Sequence, residues 1–178
     1  MRALILAAGQ GTRLAPFTDD FPKCLVEIGG ISLLRRQISV LRSQNIDDIS
    51  VIAGHRAESL NSNEYRIILN PDYANSNMVH TLFCASHMMN DDHGLIVSYG
   101  DIVYEPNVLE KLLSCDSEIC VAVDLEWRRY WELRMADPLA DAETMKVDQN
   151  GFITELGLKP LGYHEIEGQY ICLLYTSD

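Results

Sequence analysis

The chain has no apolar run approaching the length of a membrane span, and its first residues lack a cleavable signal. Positive charge is scarce. Fourteen lysines and arginines stand against 26 carboxylates, a net charge of −12. That balance argues against nucleic acid as a partner, because duplex binding rests on a basic surface. The five cysteines, Cys24, Cys84, Cys115, Cys120 and Cys172, have no paired metal-ligand spacing. Cys115 and Cys120 are close in sequence but lack histidine partners nearby. An odd count without a signal reads as reduced thiols in the cytoplasm. There is no internal repeat, low-complexity tract or linker. The content of 47% hydrophobic and 22% charged residues is ordinary for a soluble domain, and 178 residues suffice for one core.

What the chain does have is concentrated near its start. Ala3 to Ala8 is uninterrupted and apolar, as a central parallel strand covered on both faces must be. It runs into a loop bearing Gly9 and Gly11. Small Ala7 and Ala8 allow close approach, and the glycines let successive backbone N–H groups converge on phosphate oxygens. Arg13 offers a planar fork for phosphate. Lys23 is a compact charge suited to negative charge that builds up during reaction. Pro16 and Pro22 restrict the loop between them. The plainer alternative is a tight strand-to-helix turn with surface charges. Two familiar phosphate loops do not fit. Thr12-Arg13 stands where a Walker A loop needs Lys-Ser/Thr, and Leu14 stands where the dinucleotide fingerprint needs a third glycine.

Leu6-Ala7-Ala8-Gly9-x-Gly11-Thr12-Arg13-Leu14, then Pro16, Thr18 and Pro22-Lys23, resembles the signature loop of the nucleotidyltransferases that join NTPs to small phosphorylated compounds. These include sugar-1-phosphate nucleotidylyltransferases, choline-phosphate and aminoethylphosphonate cytidylyltransferases, and the MobA-like NTP transferase domain. The resemblance extends through the strand and helix order to about Gly168. It implies that the loop wraps the base and phosphates of an NTP, with contacts from Leu6, Ala7, Ala8, Gly9, Gly11, Thr12, Arg13, Lys23 and Gly100. It implies catalytic roles for Arg13 and Lys23.

A second chemical site is Leu95-Ile96-Val97-Ser98-Tyr99-Gly100-Asp101. A carboxylate at the carboxyl end of a parallel strand sits where open α/β sheets bind ligands. A lone Asp there suits Mg²⁺, which takes one or two protein carboxylates beside substrate phosphates and waters. The alternative is that Asp101 caps the following helix or closes a turn; its spacing is too long for the cap, since Glu105 directly precedes Pro106. The resemblance also implies a metal ligand in this Gly-Asp pair.

Other signals are open to two readings. Asn75 and Asn77 could contact a base or ribose, or one of them could cap the next helix. His55 ends another strand and could line the cleft. His80, His87 and His93 form no metal set, and Met88 and Met89 read as core. Residues 124–159 should choose the second substrate. Trp127 and its aromatic neighbours beside carboxylates could cage an amine, and Arg129 could clamp a phosphate. The same aromatic spacing also fits a helix packed on the sheet or on a partner subunit. Lys159 follows the hairpin and is a candidate acceptor contact, because many members of the family it resembles carry a lysine in a similar position that contacts the acceptor phosphate.

Strands are expected at 2–7, 49–53, 66–69, 95–98 and 118–123, and helices at 32–45, 78–89, 106–113 and about 127–135, with Ser32 as an N-cap. Asp148-Gln149-Asn150-Gly151 is a hairpin turn signal between flanking strands. This alternation predicts an α/β fold, a three-layer, Rossmann-like and mainly parallel sheet with helices on both faces. Residues 1–171 read as a nucleotidyltransferase domain incomplete at its C-terminus, lacking the family's second metal-binding Asp or Asn. Cys172-Leu173-Leu174-Tyr175-Thr176-Ser177-Asp178 is what TGT CTC TTA TAC ACA TCT GAC encodes. It resembles a transposase adapter used in library preparation, so 172–178 is expected to be artefactual.

The reading that follows is a cytoplasmic, Mg²⁺-dependent nucleotidyltransferase. It would join an NTP, CTP favoured, to phosphocholine, aminoethylphosphonate or a sugar 1-phosphate, releasing pyrophosphate in the making of cell-surface polysaccharide or lipid precursors. No nucleic acid or membrane partner is expected, and homo-oligomerisation stays open. The competing readings are a non-catalytic nucleotide-binding module and a molybdenum-cofactor guanylyltransferase.

Overall fold

Residue order places the first strand at the centre of a sheet in the computed structural model, which describes residues 1–89 and 93–176. In chain order the elements are β1 (Arg2–Ala7), β2 (Glu27–Ile28), β3 (Ile31–Ser32), α1 (Leu33–Ser43), β4 (Asp48–Ala53), β5 (Arg66–Leu69) and α2 (Met78–Phe83). They continue with β6 (Leu95–Tyr99), α3 (Pro106–Leu113), β7 (Ile119–Asp124), α4 (Trp127–Glu132), β8 (Met145–Val147), β9 (Ile153–Leu156) and β10 (Gln169–Thr176). Ser177 and Asp178, part of the expected artefact, lie outside the described residues.

A six-stranded sheet has the order β5-β4-β1-β6-β10-β7. β1 pairs in parallel with β4 and β6, and β4 with β5. β10 runs antiparallel to β6 and carries buried Leu173 opposite Ser98. The apolar run of β1 is explained by this central place. Leu4 and Ile5 point to opposite faces and both are fully buried. Each such burial is worth about 1.5–3 kcal/mol. On one face Leu4, Ile52, Leu95 and Val97 pack with Ala85 and Met88. Helices α1 and α3 touch each other and bury Leu34, Ile38, Leu41, Leu109 and Leu112. Ser32 caps α1, its hydroxyl accepting from the Arg35 N–H at 3.2 Å.

The chain divides into two compact units, residues 1–121 with 172–176, and Ala122–Ile171. The second unit holds α4, the hairpin of β8 and β9, and a small core of Trp127, Ala142 and Ile166. The hairpin turn forms as its residues require. Gly151 takes a φ of +83°, and one Asp148 carboxylate oxygen accepts from the Asn150 and Phe152 N–H groups at 2.8 and 2.9 Å.

Three expectations need correction. The helix expected over 78–89 is a six-residue α2 followed by a 3₁₀ turn at Ser86–Met88. The Cys84 N–H is shared between the His80 and Thr81 carbonyls, and Ala85 bonds three residues back to Leu82, so the turn tightens and the helix stops. The helix expected to reach about residue 135 ends at Glu132, with the Arg134 and Met135 N–H groups both on the Trp131 carbonyl. Cys115 and Cys120, read as reduced thiols, are joined by a disulfide. They flank the turn between α3 and β7 with Cα atoms 6.5 Å apart, within bonding reach. Among the described residues no helix is long and apolar enough to cross a membrane.

Candidate functional site

The site in the first unit begins where β1 and β6 end side by side. The Gly100 N–H donates to the Leu6 carbonyl at 2.8 Å. A Cβ at Gly100 would lie 2.9 Å from the Ala7 Cβ and 3.2 Å from the Leu6 oxygen, so any larger residue would push the strand ends apart. This close approach delivers Asp101 beside the glycine loop. Ala8 is buried, and Gly9 faces open space. Gly11 has a φ of +65°, and a Cβ there would come 3.1 Å from the Lys23 side chain.

The loop is tied down from two directions. Buried Thr18 donates its hydroxyl proton to the Gly11 carbonyl at 3.0 Å. His55, just past β4, donates its N–H to the Ala8 carbonyl at 3.0 Å. Its ring Nε2 lies 3.2 Å from the Thr18 carbonyl, which can only accept. His55 thus supports the loop from behind.

Lys23 follows Pro22 in a short 3₁₀ turn, and its ammonium pairs with Asp101 Oδ2. The two side chains are 32% and 35% exposed. A pair this accessible is worth about 0–1 kcal/mol, so a bound anion and cation could replace it at small cost. A cavity of about 200 Å³ opens here. Of the residues singled out from sequence, Leu6, Ala7, Gly9 and Gly11 line it, as do Arg13, Lys23, Gly100 and Asp101. Cys24, Met78 and Tyr99 line it as well and were not foreseen. Burial pushes the Cys24 thiol up to about 12, so it stays protonated and is no nucleophile near neutral pH.

The remaining nucleotide candidates are placed differently. Thr12 is exposed in the 3₁₀ turn Thr12–Leu14 and does not line the cavity. Asn77 is the N-cap of α2, accepting from the His80 N–H at 3.0 Å, and Asn75 donates to the Asp72 carboxylate at 3.0 Å. Neither lines the cavity. For Asn77 the capping alternative is the observed one. The amide that organises this loop is buried Asn70, which donates to Ser76 and Thr81 and accepts from the Asp72 N–H, each at 3.0 Å.

No group of three or more His, Cys, Asp or Glu able to hold a metal ion by themselves occurs among the described residues. A lone, accessible Asp101 suits a cation that arrives with phosphate ligands, not one held by protein alone.

In the second unit, a cavity of about 310 Å³ is lined by Asp124, Glu126, Arg129, Tyr130 and Leu133. Arg129 is therefore available to a ligand there. Trp127 is not, being only 4% exposed and packed edge-on against Trp131 with ring centroids 5.5 Å apart. It is a core residue, but the indole packs with Ala142 and Ile166 in the second unit and not on the six-stranded sheet as the alternative expected. Lys159 donates to the Leu139 and Ala140 carbonyls at the end of a 3₁₀ turn.

The family model of the MobA-like NTP transferase domain matches residues 3–158. The chain belongs to that family and so to the nucleotidyltransferase enzymes. It is 43% identical over 186 residues to CTP:phosphoglutamine cytidylyltransferase of Campylobacter jejuni, covering 99% of this chain and 73% of that one. It is 39% identical over 87 residues to choline-phosphate cytidylyltransferase of Streptococcus pneumoniae, covering 47% of this chain and 38% of the relative. In fold it is similar to the inositol-1-phosphate CTP transferase of T. maritima, with a TM-score of 0.75 at 20% identity, over 99% of this chain and 70% of that one.

Proposed function

We propose that this protein transfers CMP from CTP to a small phosphorylated acceptor and releases pyrophosphate. The observation that carries the reading is the convergence of Gly9, Gly11, Arg13, Lys23 and Asp101 on one cavity at the carboxyl ends of β1 and β6. The choice of CTP is supported by the relative 43% identical over nearly the whole chain, whose name specifies CTP. The same name makes phosphoglutamine the first acceptor to try.

An acceptor phosphate oxygen attacks the α-phosphorus in line. The bond from that phosphorus to the bridging oxygen breaks, and pyrophosphate leaves with the electron pair. The attacking oxygen is already anionic, so no protein base or nucleophile is needed, consistent with a neutral Cys24 thiol. Positioning and charge stabilisation carry the catalysis. The loop glycines receive phosphate oxygens on backbone N–H groups, while Arg13 grips them by its fork. Lys23 leaves Asp101 and balances charge that grows at the phosphates. Asp101 would hold Mg²⁺ jointly with the nucleotide, and the ion would offset phosphate charge. In the second unit Arg129 lines a cavity of its own and is the residue we propose there for binding a phosphate group. The enzyme would work in the cytoplasm, where CTP is supplied.

The test is pyrophosphate release by the purified protein with CTP, UTP, dTTP or GTP. Acceptors are phosphoglutamine, phosphocholine, 2-aminoethylphosphonate and glucose 1-phosphate. CTP with one of the first three should give the highest turnover. A preference for UTP, dTTP or GTP over CTP, or no release with any pair, overturns the proposal.

A further inference from the structure

Helix α1 presents an apolar stripe of Leu33, Leu34, Ile38 and Leu41, all buried. Gln37 falls inside that stripe and is only 1% exposed. A buried carboxamide costs free energy unless its donors and acceptor are satisfied, and a leucine would fill the same face without that requirement. Here every group is used. Nε2 donates to the Tyr99 carbonyl at 2.9 Å and to the Ile102 carbonyl at 3.0 Å. Oε1 accepts from the buried Ser98 hydroxyl at 2.9 Å.

The two carbonyls bracket Gly100 and Asp101. One side chain therefore holds the chain two residues before and one residue after the carboxylate. The Asp101 side chain itself pairs with Lys23, and that contact is too exposed to fix it. We propose that Gln37 is the positioning residue for Asp101, holding the turn at residues 99–102 so that the carboxylate meets the metal–nucleotide complex in one geometry. This rests on the assignment of Asp101 made under the proposed function. Gln37 touches no reacting atom. It acts through the backbone, as partners behind a metal ligand orient the ligand elsewhere.

The test separates metal-dependent from metal-independent nucleotide binding. CTP affinity is measured by calorimetry with EDTA and with Mg²⁺ for wild type, Gln37→Met and Ser98→Ala, alongside melting midpoints. Gln37→Met keeps length and volume but donates to neither carbonyl. Its CTP affinity in EDTA should stay within about twofold of wild type, since the bonds lost are those to the Tyr99 and Ile102 carbonyls and none is to the glycine loop or Arg13. The gain in affinity on adding Mg²⁺ should fall by about tenfold or more, with a matching rise in the Mg²⁺ concentration for half-maximal turnover. Ser98→Ala leaves both carbonyl bonds in place and should keep most of the gain. If Gln37→Met does not fold, Gln37→Leu, which continues the apolar stripe and has no donor, reads the same split. Equal losses with and without Mg²⁺, or a full gain in the variant, would overturn the role of Gln37 alone. A wild type with no Mg²⁺-dependent gain would overturn the Asp101 assignment and this proposal with it.

Discussion

Lys23 is the residue on which the proposed chemistry leans most. It lines the cavity with Arg13, and its observed partner, Asp101, is a surface-accessible carboxylate. An exposed ion pair adds little to stability, so removing the ammonium should leave the fold nearly untouched. Charge placed for a transition state is a different matter, costing about 3–4 kcal/mol when removed. Lys23→Ala is therefore expected to lower turnover by about 100-fold or more, with circular dichroism and melting midpoint close to wild type. Unchanged turnover would remove Lys23 from the mechanism. At this scale the sequence was readable where chemistry demands a rare combination, as in Gly9, Gly11, Arg13 and Lys23. It was unreadable where a residue's role depends on what folds against it. Gln37 carried one visible sign, a polar residue inside an apolar stripe. Cys24, Met78 and Tyr99 carried none, since they reach the cavity only through neighbouring turns and strands.

Elements follow periodicity where it is long or uninterrupted. β1, β5 and α3 match the expected residues, and α1 starts where its serine cap predicts. Shorter helices escape, because sharing one N–H between two carbonyls at Cys84, or ending α4 at Glu132, is settled by packing and not by pattern. The Cys115–Cys120 disulfide escaped for a related reason, as spacing alone does not show that α3 and β7 bring the two together. The hairpin of β8 and β9 was legible through its turn, and that turn supports a pH prediction. The Phe152 N–H, then that of Asn150, holds the Asp148 carboxyl below its usual 3.8. A depressed acid stabilises the folded state at pH values above its unfolded pKa. That contribution is lost as pH falls through the folded value. Asp148→Asn, which mimics the protonated acid, should melt below wild type at neutral pH. The difference should shrink as pH drops beneath 3.8. A difference constant with pH would show that the charge plays no part.

For the whole molecule the dominant fact is a net charge of −12 in a protein proposed to bind a polyanion and an anionic acceptor. Cations must then be gathered locally, and the cavity lined by Arg13 and Lys23 does this within the first unit. A divalent ion arriving with the nucleotide reduces the charge that an acidic surface must accept, so metal and CTP should bind cooperatively. A ligand that binds only the folded state raises its stability by about 2.7 kcal/mol at 100 times its dissociation constant. For a chain of this size that corresponds to a rise of about 5–10 °C in melting midpoint. Mg²⁺ alone should shift the midpoint little, because Asp101 is a single carboxylate and no cluster of three metal-binding side chains occurs among the described residues. CTP in EDTA should give a partial shift, carried by the glycine loop and Arg13. CTP with Mg²⁺ should give the full one. Asp101→Asn should retain the EDTA shift and lose the increment that Mg²⁺ adds. A large shift with Mg²⁺ alone would place the metal elsewhere, and an Asp101→Asn protein with the full increment would do the same.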